Sequence, residues 1–274
     1  MFMAVWGKPA LHPIPARALG HQESQSSWNC GGGKVVAFGN DRDILAHRLR
    51  KVSNLLMLWK LLIFLGMAAM IVASFATPAP QKMIGEASRI FYYHIPQAWL
   101  CVIAFAMSMI FSIQFLRRRQ IADDDRAVTA ASLGFIFCFL ATVTGATFAK
   151  ITWGSFWNWD PRETSIFVLL LIYAAYFALR NAIDEEQKRA ALSAVYSIFA
   201  FVTVPFLIFV VPRIVPSLHP ADSVVDENMR FTMGPLVGTI FGSSLALFTG
   251  LFLWILNLAV RIKRIERARL EKEF

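Results

Sequence analysis

Apolar runs dominate the chain, and six of them are long enough to cross a bilayer as helices. A helix needs roughly 20 apolar residues to span the hydrocarbon core. Overall 57% of the residues are hydrophobic and 16% are charged, which is too apolar for an ordinary soluble domain. The pattern therefore predicts an all-α integral membrane protein with six transmembrane helices. The predicted spans are residues 55–76, 96–116, 128–149, 164–179, 190–211 and 235–260.

Basic residues lie mainly on one side of this predicted arrangement. The two ends of the chain and the connections at 117–127 and 180–189 hold 20 Lys and Arg residues, whereas the connections at 77–95, 150–163 and 212–234 hold 6. Lys and Arg near span ends are retained in the cytoplasm. We therefore expect both termini in the cytoplasm and three specialised loops at the outer face. The net charge of +9 then reflects topology and contact with membrane lipid, not nucleic-acid binding.

The polar and apolar segments divide the chain into three predicted regions. Residues 1–40 are rich in Pro, Ser and Gly and bury too little apolar surface to offset chain entropy, so we expect a disordered cytoplasmic extension. Residues 41–260 form the six-helix membrane domain, and residues 261–274 form a basic cytoplasmic tail. Pro205 lies inside the fifth run and predicts a kink rather than a break in that helix.

The loop between the third and fourth spans carries a dense group of aromatic residues. Trp153, Trp157 and Trp159 fall within seven residues of one another. Tryptophan is also enriched at both membrane interfaces, so any one of these residues has a simple explanation as an interfacial anchor. Three of them so close together indicate a binding surface for a flat ligand.

The charged end of the same loop, Asp160-Pro161-Arg162-Glu163, has a structural interpretation. Asp is a favoured N-cap, Pro is favoured at the first helical position, and Glu at the third completes a helix start. We therefore assign Asp160 and Glu163 to capping of the fourth span, with shaping of the ligand site as a second role.

Two histidines, His94 and His219, are predicted to lie in outer loops at span ends, on the same face as the tryptophans. A lone histidine at a span end is more often an interfacial hydrogen-bonding group than a ligand. Two neutral imidazoles that face each other across an aromatic pocket, however, can supply both axial ligands of a haem iron. Their shared location favours ligation.

A haem would also bring two propionates, which need cations or backbone donors. Arg162 is a candidate because it lies inside the tryptophan-rich motif. Arg89, Arg213 and Arg230 are the other outer arginines, and spacing alone does not decide between the four.

Together these motifs resemble the haem exporter protein C family, the CcmC type of cytochrome c maturation membrane protein with a tryptophan-rich WWD domain. The resemblance covers residues 55–260, with a Trp-Gly-x-x-Trp-x-Trp-Asp motif at 153–160 and single histidines, His94 and His219, on either side of it. Phe156 departs from the pattern, since many members carry Trp there. The Pro-Arg-Glu-Thr ending at 161–164 looks more like the longer cytochrome c synthase subunits of the CcsA and ResC type.

The resemblance implies a haem-handling protein of the bacterial plasma membrane. His94 and His219 would ligate the iron of non-covalent haem b, which would be delivered to the periplasmic haem chaperone CcmE for cytochrome c biogenesis. Implied partners are also the ABC-type complex of CcmA with CcmB and the small membrane protein CcmD. The chain carries no nucleotide-binding loop, activated nucleophile or thiol pair, so we expect a transfer protein and not an enzyme. The implied haem-contacting loop consists of Trp153, Gly154, Phe156, Trp157, Trp159 and Asp160.

Two other functions are compatible with six apolar runs. A membrane electron-transfer subunit with bis-histidine haem usually carries its ligands inside the spans, whereas every histidine here is predicted to lie outside them. A transporter with an aromatic gate predicts ionisable groups at mid-membrane. Lys60 alone lies near that depth, and it can extend its ammonium group to the interface.

Overall fold

The computed structural model describes residues 40–79, 85–219 and 233–273, and these are almost entirely helical, with no strand among them. They hold six helices that are long and apolar enough to cross a membrane, which confirms the predicted fold class. The elements in chain order are α1 (Asn40–Ala76), a 3₁₀ helix (Gly85–Ile90), α2 (Phe91–Arg118), α3 (Ile121–Trp153), α4 (Pro161–Asn181), α5 (Glu186–Pro205), a π segment (Phe206–Val210), α6 (Val211–Ile214) and α7 (Pro235–Glu273).

The extension predicted at residues 1–40 lies outside the described residues, apart from Asn40 at the start of α1. The chain divides into two units, Met1–Lys51 and Val52–Phe274, and the packing that follows is that of the second unit. Of the residues predicted to form a basic tail, 261–274, those up to Glu273 continue α7 as a regular helix.

The second span begins earlier than predicted, and this moves His94 from a loop into a helix. The chain enters α2 through a 3₁₀ helix, so that His94 is the fourth residue of α2. Pro96 does not end the helix. It lacks the N–H that would reach the carbonyl of Tyr92, and the hydroxyl of Ser244 on α7 donates to that carbonyl instead. The expectation that His94 lies in a loop is therefore wrong, since it belongs to the helical segment Gly85–Arg118, a candidate membrane span.

Pro205 marks a change in helical hydrogen bonding within the fifth span. The chain stays helical through this region, as predicted, but the α-helix ends at Pro205 and a π segment follows it. The N–H of Val211 bonds to the carbonyl of Phe206, five residues earlier. Proline and π turns both interrupt the regular bonding of a helix, and such interruptions are frequent at functional sites.

Small residues let the central helices approach closely. Gly134 on α3 lies against Phe105 on α2, where a Cβ atom would come within 2.6 Å of the ring. The ring of Phe105 in turn stacks on Tyr173 of α4, with centroids 3.5 Å apart. In lipid, where apolar surface gains nothing from leaving water, such close packing holds helices together. These contacts fix the positions of α2, α3 and α4 relative to one another.

Ion pairs join the ends of the helices that are predicted to face the cytoplasm. Arg180 of α4 makes a bidentate pair with Asp124 of α3, with nitrogen–oxygen distances of 2.7 and 2.8 Å. Arg267 of α7 contacts both Asp125 of α3 and Glu186 of α5. Four helices are therefore tied together at the end opposite to the tryptophan-rich loop.

Candidate functional site

A cavity of about 280 Å³ opens where α2 and α4 begin and α3 ends. Its ionisable lining consists of two histidines, two arginines and one glutamate, and the rest is mainly apolar and aromatic. The cavity therefore brings together residues from four separate parts of the sequence. The ionisable lining residues are His94, Arg162, Glu163, Arg213 and His219, and the aromatic ones are Phe91, Trp99, Phe148, Trp157 and Phe209.

His94 enters the cavity from α2 and lies directly against α3. A Cβ atom at Gly145 would come within 3.0 Å of Cε1 of the histidine ring, so the glycine leaves the space that the ring occupies. Nδ1 of His94 lies 2.9 Å from Oγ1 of Thr144. That hydroxyl donates to the carbonyl of Leu140 at 2.8 Å, which leaves its oxygen free to accept from the imidazole.

His219 lies beyond α6 and is held from behind by Asp160. Nδ1 of His219 is 3.0 Å from Oδ1 of Asp160. The ring of Trp153 meets the imidazole edge to face, with centroids 4.8 Å apart. Burial lowers the pKa of His219 below its usual value, although the neighbouring Asp160 carboxylate opposes this shift. The imidazole is therefore neutral at neutral pH, the form that binds metals.

Asp160 connects the start of α4 to the segment that carries His219. Its Oδ1 accepts from the N–H of Arg162 at 2.9 Å, which confirms the predicted N-cap. Its Oδ2 accepts from the hydroxyl of Ser217 and the N–H of Leu218 at 2.8 and 2.7 Å. Burial raises the pKa of Asp160, but the bonds from these three donors outweigh it and hold the pKa below its usual range.

Glu163 reaches back toward the loop that precedes α4. Its Oε2 accepts from the N–H of Asn158 at 2.8 Å, two residues before the N-cap, so it stabilises the loop as well as the helix start. Its Oε1 is buried and has no hydrogen-bond partner among the described residues.

The predicted haem-contacting loop divides between the cavity, its supporting wall and the outer surface. Trp157 lines the cavity, and Trp153, the last residue of α3, supports His219. Gly154 has a φ of +82°, a left-handed conformation that ends α3 and favours glycine. Phe156 and Trp159 are exposed to 59% and 76% and do not line the cavity.

Trp159 adopts a backbone conformation that is uncommon for a bulky residue. Its φ is +55°, in the left-handed region, and it directly precedes the N-cap Asp160. Its ring meets Trp157 edge to face with centroids 5.9 Å apart. Of these two tryptophans, Trp157 lines the cavity and Trp159 is exposed.

The structure separates three of the four arginines that are predicted to lie at the outer face. Arg162 and Arg213 line the cavity, whereas the guanidinium of Arg89 donates to the carbonyls of Ser74 and Thr77 at the end of α1. Nε of Arg162 is buried and has no hydrogen-bond partner within the described residues. Arg213 donates to the carbonyl of Phe209 at 3.1 Å. Arg230 lies outside the described residues.

Sequence reasoning missed the two residues of α3 that lie against His94. Thr144 and Gly145 form part of the apolar run 128–149 and carry no recognisable ligand motif. The one local signal is the cluster of small residues, Thr144-Gly145-Ala146, which permits close approach of a neighbouring helix.

Comparison with known proteins gives a consistent family assignment. The family model described as "Heme exporter protein C" matches residues 37–273. The protein of that name from Rhodobacter capsulatus is 30% identical over 200 residues, which cover 70% of this chain and 80% of the relative. The one from Escherichia coli K12 is 32% identical over 161 residues, 58% of this chain and 64% of the relative. The one from Bradyrhizobium diazoefficiens is 34% identical over 125 residues, about half of each chain.

Proposed function

The chain belongs to the haem exporter protein C family, and from that premise we propose that it binds haem b between His94 and His219 and delivers it to an acceptor. The family handles haem in cytochrome c maturation. One observation carries the proposal: two imidazoles from distant parts of the chain line a single cavity with arginines and aromatic rings. We assign binding and transfer, and no bond-making chemistry, to this chain.

The cavity supplies the contacts that a non-covalent haem requires. Neutral imidazoles are suited to both axial positions of the iron. Trp157, Phe91 and Phe148 offer flat apolar surface for the porphyrin. The Nε–H of Arg162 is buried and has no hydrogen-bond partner in the part of the chain that the structure describes. This fits an anionic ligand group, and a propionate is such a group. Arg213 lies on the same cavity and is the candidate for the second propionate.

The exposed face of the loop is the proposed contact for the acceptor. Phe156 and Trp159 point away from the cavity while their neighbour Trp157 lines it. An acceptor that docks on these two rings would lie next to Trp157, which lines the proposed haem cavity. We propose that the acceptor is a periplasmic haem chaperone of the CcmE type, with CcmA, CcmB and CcmD as membrane partners, and that the site faces the periplasm of a bacterial plasma membrane.

The proposal is tested by following haem from this chain to its acceptor. The full-length protein, purified in nanodiscs and loaded with haem b, is mixed with the soluble domain of the chaperone, and haem is measured in each after separation. We expect haem to move to the chaperone. Trp159→Ala should slow this transfer while the haem spectrum before mixing stays unchanged, and Leu236→Ala, at another exposed apolar residue, is the matched control.

A different outcome would favour electron transfer. Placement of His94 within α2 removes one objection to a bis-histidine electron-transfer subunit, although His219 still lies outside the helices. Haem that is reduced rapidly by a quinol and is retained in the presence of the chaperone would contradict the transfer proposal.

A further inference from the structure

Both histidines of the cavity use the same ring nitrogen to contact the protein. Nδ1 of His94 lies against Thr144, and Nδ1 of His219 lies against Asp160. Building on the proposed function, we propose that Thr144 and Asp160 are positioning residues that hold both imidazoles with the proton on Nδ1. Each Nε2 then keeps the lone pair that binds the iron.

For His219 the tautomer follows from the chemistry of its partner. A carboxylate has no hydrogen to donate, so the short contact of Oδ1 requires Nδ1 to be the donor. The carboxylate of Asp160 is fully buried, which disfavours its charge, but it accepts from three further donors, and these stabilise the ionised form. In a neutral imidazole the proton on Nδ1 leaves the lone pair on Nε2.

For His94 the tautomer follows from the hydrogen bond that the hydroxyl of Thr144 donates. That hydroxyl donates its one hydrogen to a carbonyl of its own helix, either Leu140 at 2.8 Å or Ala141 at 3.2 Å. Its oxygen can then only accept from Nδ1 of His94, 2.9 Å away. The same nitrogen, Nε2, is again left to bind iron.

Asp160 carries a charge and Thr144 does not, so the two proposed ligands differ in how strongly they bind iron. A carboxylate behind an imidazole increases its basicity more than a neutral hydroxyl does, and such outer partners typically change metal affinity by about 10- to 100-fold. Asp160 also fixes the backbone of Leu218 and the side chain of Ser217, so it places His219 as well as orienting it. His219 is therefore the stronger ligand and His94 the one that is exchanged first.

The test compares two near-isosteric substitutions. Asp160→Asn introduces an amide N–H that can donate to Nδ1 of His219 and so favour the wrong tautomer, as in other carboxylate–histidine pairs. Thr144→Val removes the acceptor behind His94. The matched control for Asp160→Asn is Asp184→Asn, at an exposed aspartate. The control for Thr144→Val is Thr147→Val, because the hydroxyl of Thr147 also donates to a carbonyl of α3, that of Val143, but has no hydrogen bond to a histidine within the described part of the chain.

The readouts are optical and EPR spectra and the haem dissociation rate of the full-length protein reconstituted with haem b. We expect Asp160→Asn to shift haem toward the high-spin form and to speed dissociation by about 10- to 100-fold. Thr144→Val should stay largely low-spin with a smaller increase in rate, and both controls should match the wild type. A wild-type spectrum and rate in Asp160→Asn, with His219→Ala still losing the low-spin form, would overturn this inference alone. If the haem spectrum were unchanged in both His94→Ala and His219→Ala, the proposed function itself would be overturned.

A second measurement covers the case in which Asp160→Asn does not fold. ¹⁵N NMR of the haem-free wild type with labelled histidine distinguishes the two neutral tautomers, and His94→Ala and His219→Ala assign the signals. We expect both residues as the Nδ1–H form. The Nε2–H form at His219 would overturn the inference without reference to any variant of Asp160.

Discussion

Gly145 illustrates how the absence of a side chain can control the site by leaving space for a histidine ring. A Cβ atom there would lie 3.0 Å from Cε1 of His94, so Gly145→Ala must push the ring by a few tenths of an ångström. Overpacking of this kind costs about 1–3 kcal/mol. We expect haem to bind about tenfold more weakly, as measured by titration. Gly242→Ala, at a helical glycine with open space around it, should bind like the wild type, and equal losses in both variants would contradict the role of Gly145.

Arg162 provides a second prediction at this scale. If its buried guanidinium binds a propionate, Arg162→Gln removes a charge-assisted hydrogen bond worth about 1.5–3 kcal/mol, or roughly 10- to 100-fold in affinity. Lys150→Gln, which removes an outer cation that does not line the cavity, should have little effect. Haem dimethyl ester, which lacks both carboxylates, should bind the wild type and Arg162→Gln equally. A remaining difference between the two proteins with the ester would show that Arg162 acts otherwise.

The sequence was informative about residues that carry chemistry and silent about those that support them. His94, His219, Trp157 and Arg162 could be singled out because their residue types are rare in apolar runs, and the structure brings these four to one cavity. The contact of Thr144 with His94 depends on how α3 is rotated against α2. No local pattern fixes that rotation, so this partner could not be predicted.

At the scale of elements, the buried ion pair between α3 and α4 supports a prediction about stability. The side chains of Arg180 and Asp124 are only 10% and 6% exposed. Removing one partner of such a pair typically lowers the free energy of unfolding by about 3–5 kcal/mol, because the other charge stays buried without a partner. We expect Asp124→Asn to lower the free energy of unfolding in detergent by about 3 kcal/mol, with the spectrum of bound haem unchanged because the pair lies at the opposite end of the bundle.

The control for that prediction is a more exposed pair at the same end of the molecule. Glu186 and its partner Arg267 are 45% and 35% exposed, so Glu186→Gln should cost no more than about 1 kcal/mol. Equal losses of stability in the two variants would contradict the importance of burial at Asp124.

The ends of the helices were the features of the fold that sequence reasoning placed least well. The predicted spans followed hydropathy, yet α2 continues back through Tyr92 and Tyr93 to Phe91, and α3 continues to Trp153. Aromatic residues at a membrane interface lower the hydropathy of a window without ending a helix. The hydrogen bond from Ser244 that accommodates Pro96 comes from α7, more than a hundred residues away, and is not readable from the local sequence.

For the whole molecule, the number of spans and the charge asymmetry lead to a prediction of topology. The apolar runs predicted six membrane helices correctly, because crossing a bilayer imposes length and composition directly on the sequence. The orientation rests on the excess of basic residues at one side. We expect a fluorescent protein at the C-terminus to fluoresce and alkaline phosphatase at that position to be inactive, whereas phosphatase inserted after Asn158 should be active. The reverse pattern would place the cavity in the cytoplasm.

The most direct test of the central claim is the optical spectrum of the purified full-length protein from haem-replete cells, with haem quantified as the pyridine haemochrome. The wild type is expected to show a low-spin b-type spectrum. His94→Ala and His219→Ala are each expected to lose haem or to turn high-spin, because each removes one proposed axial ligand. Absence of haem from the wild type, or wild-type spectra in both variants, would contradict a haem site between His94 and His219. The tryptophan-rich loop would then be explained by interfacial anchoring alone.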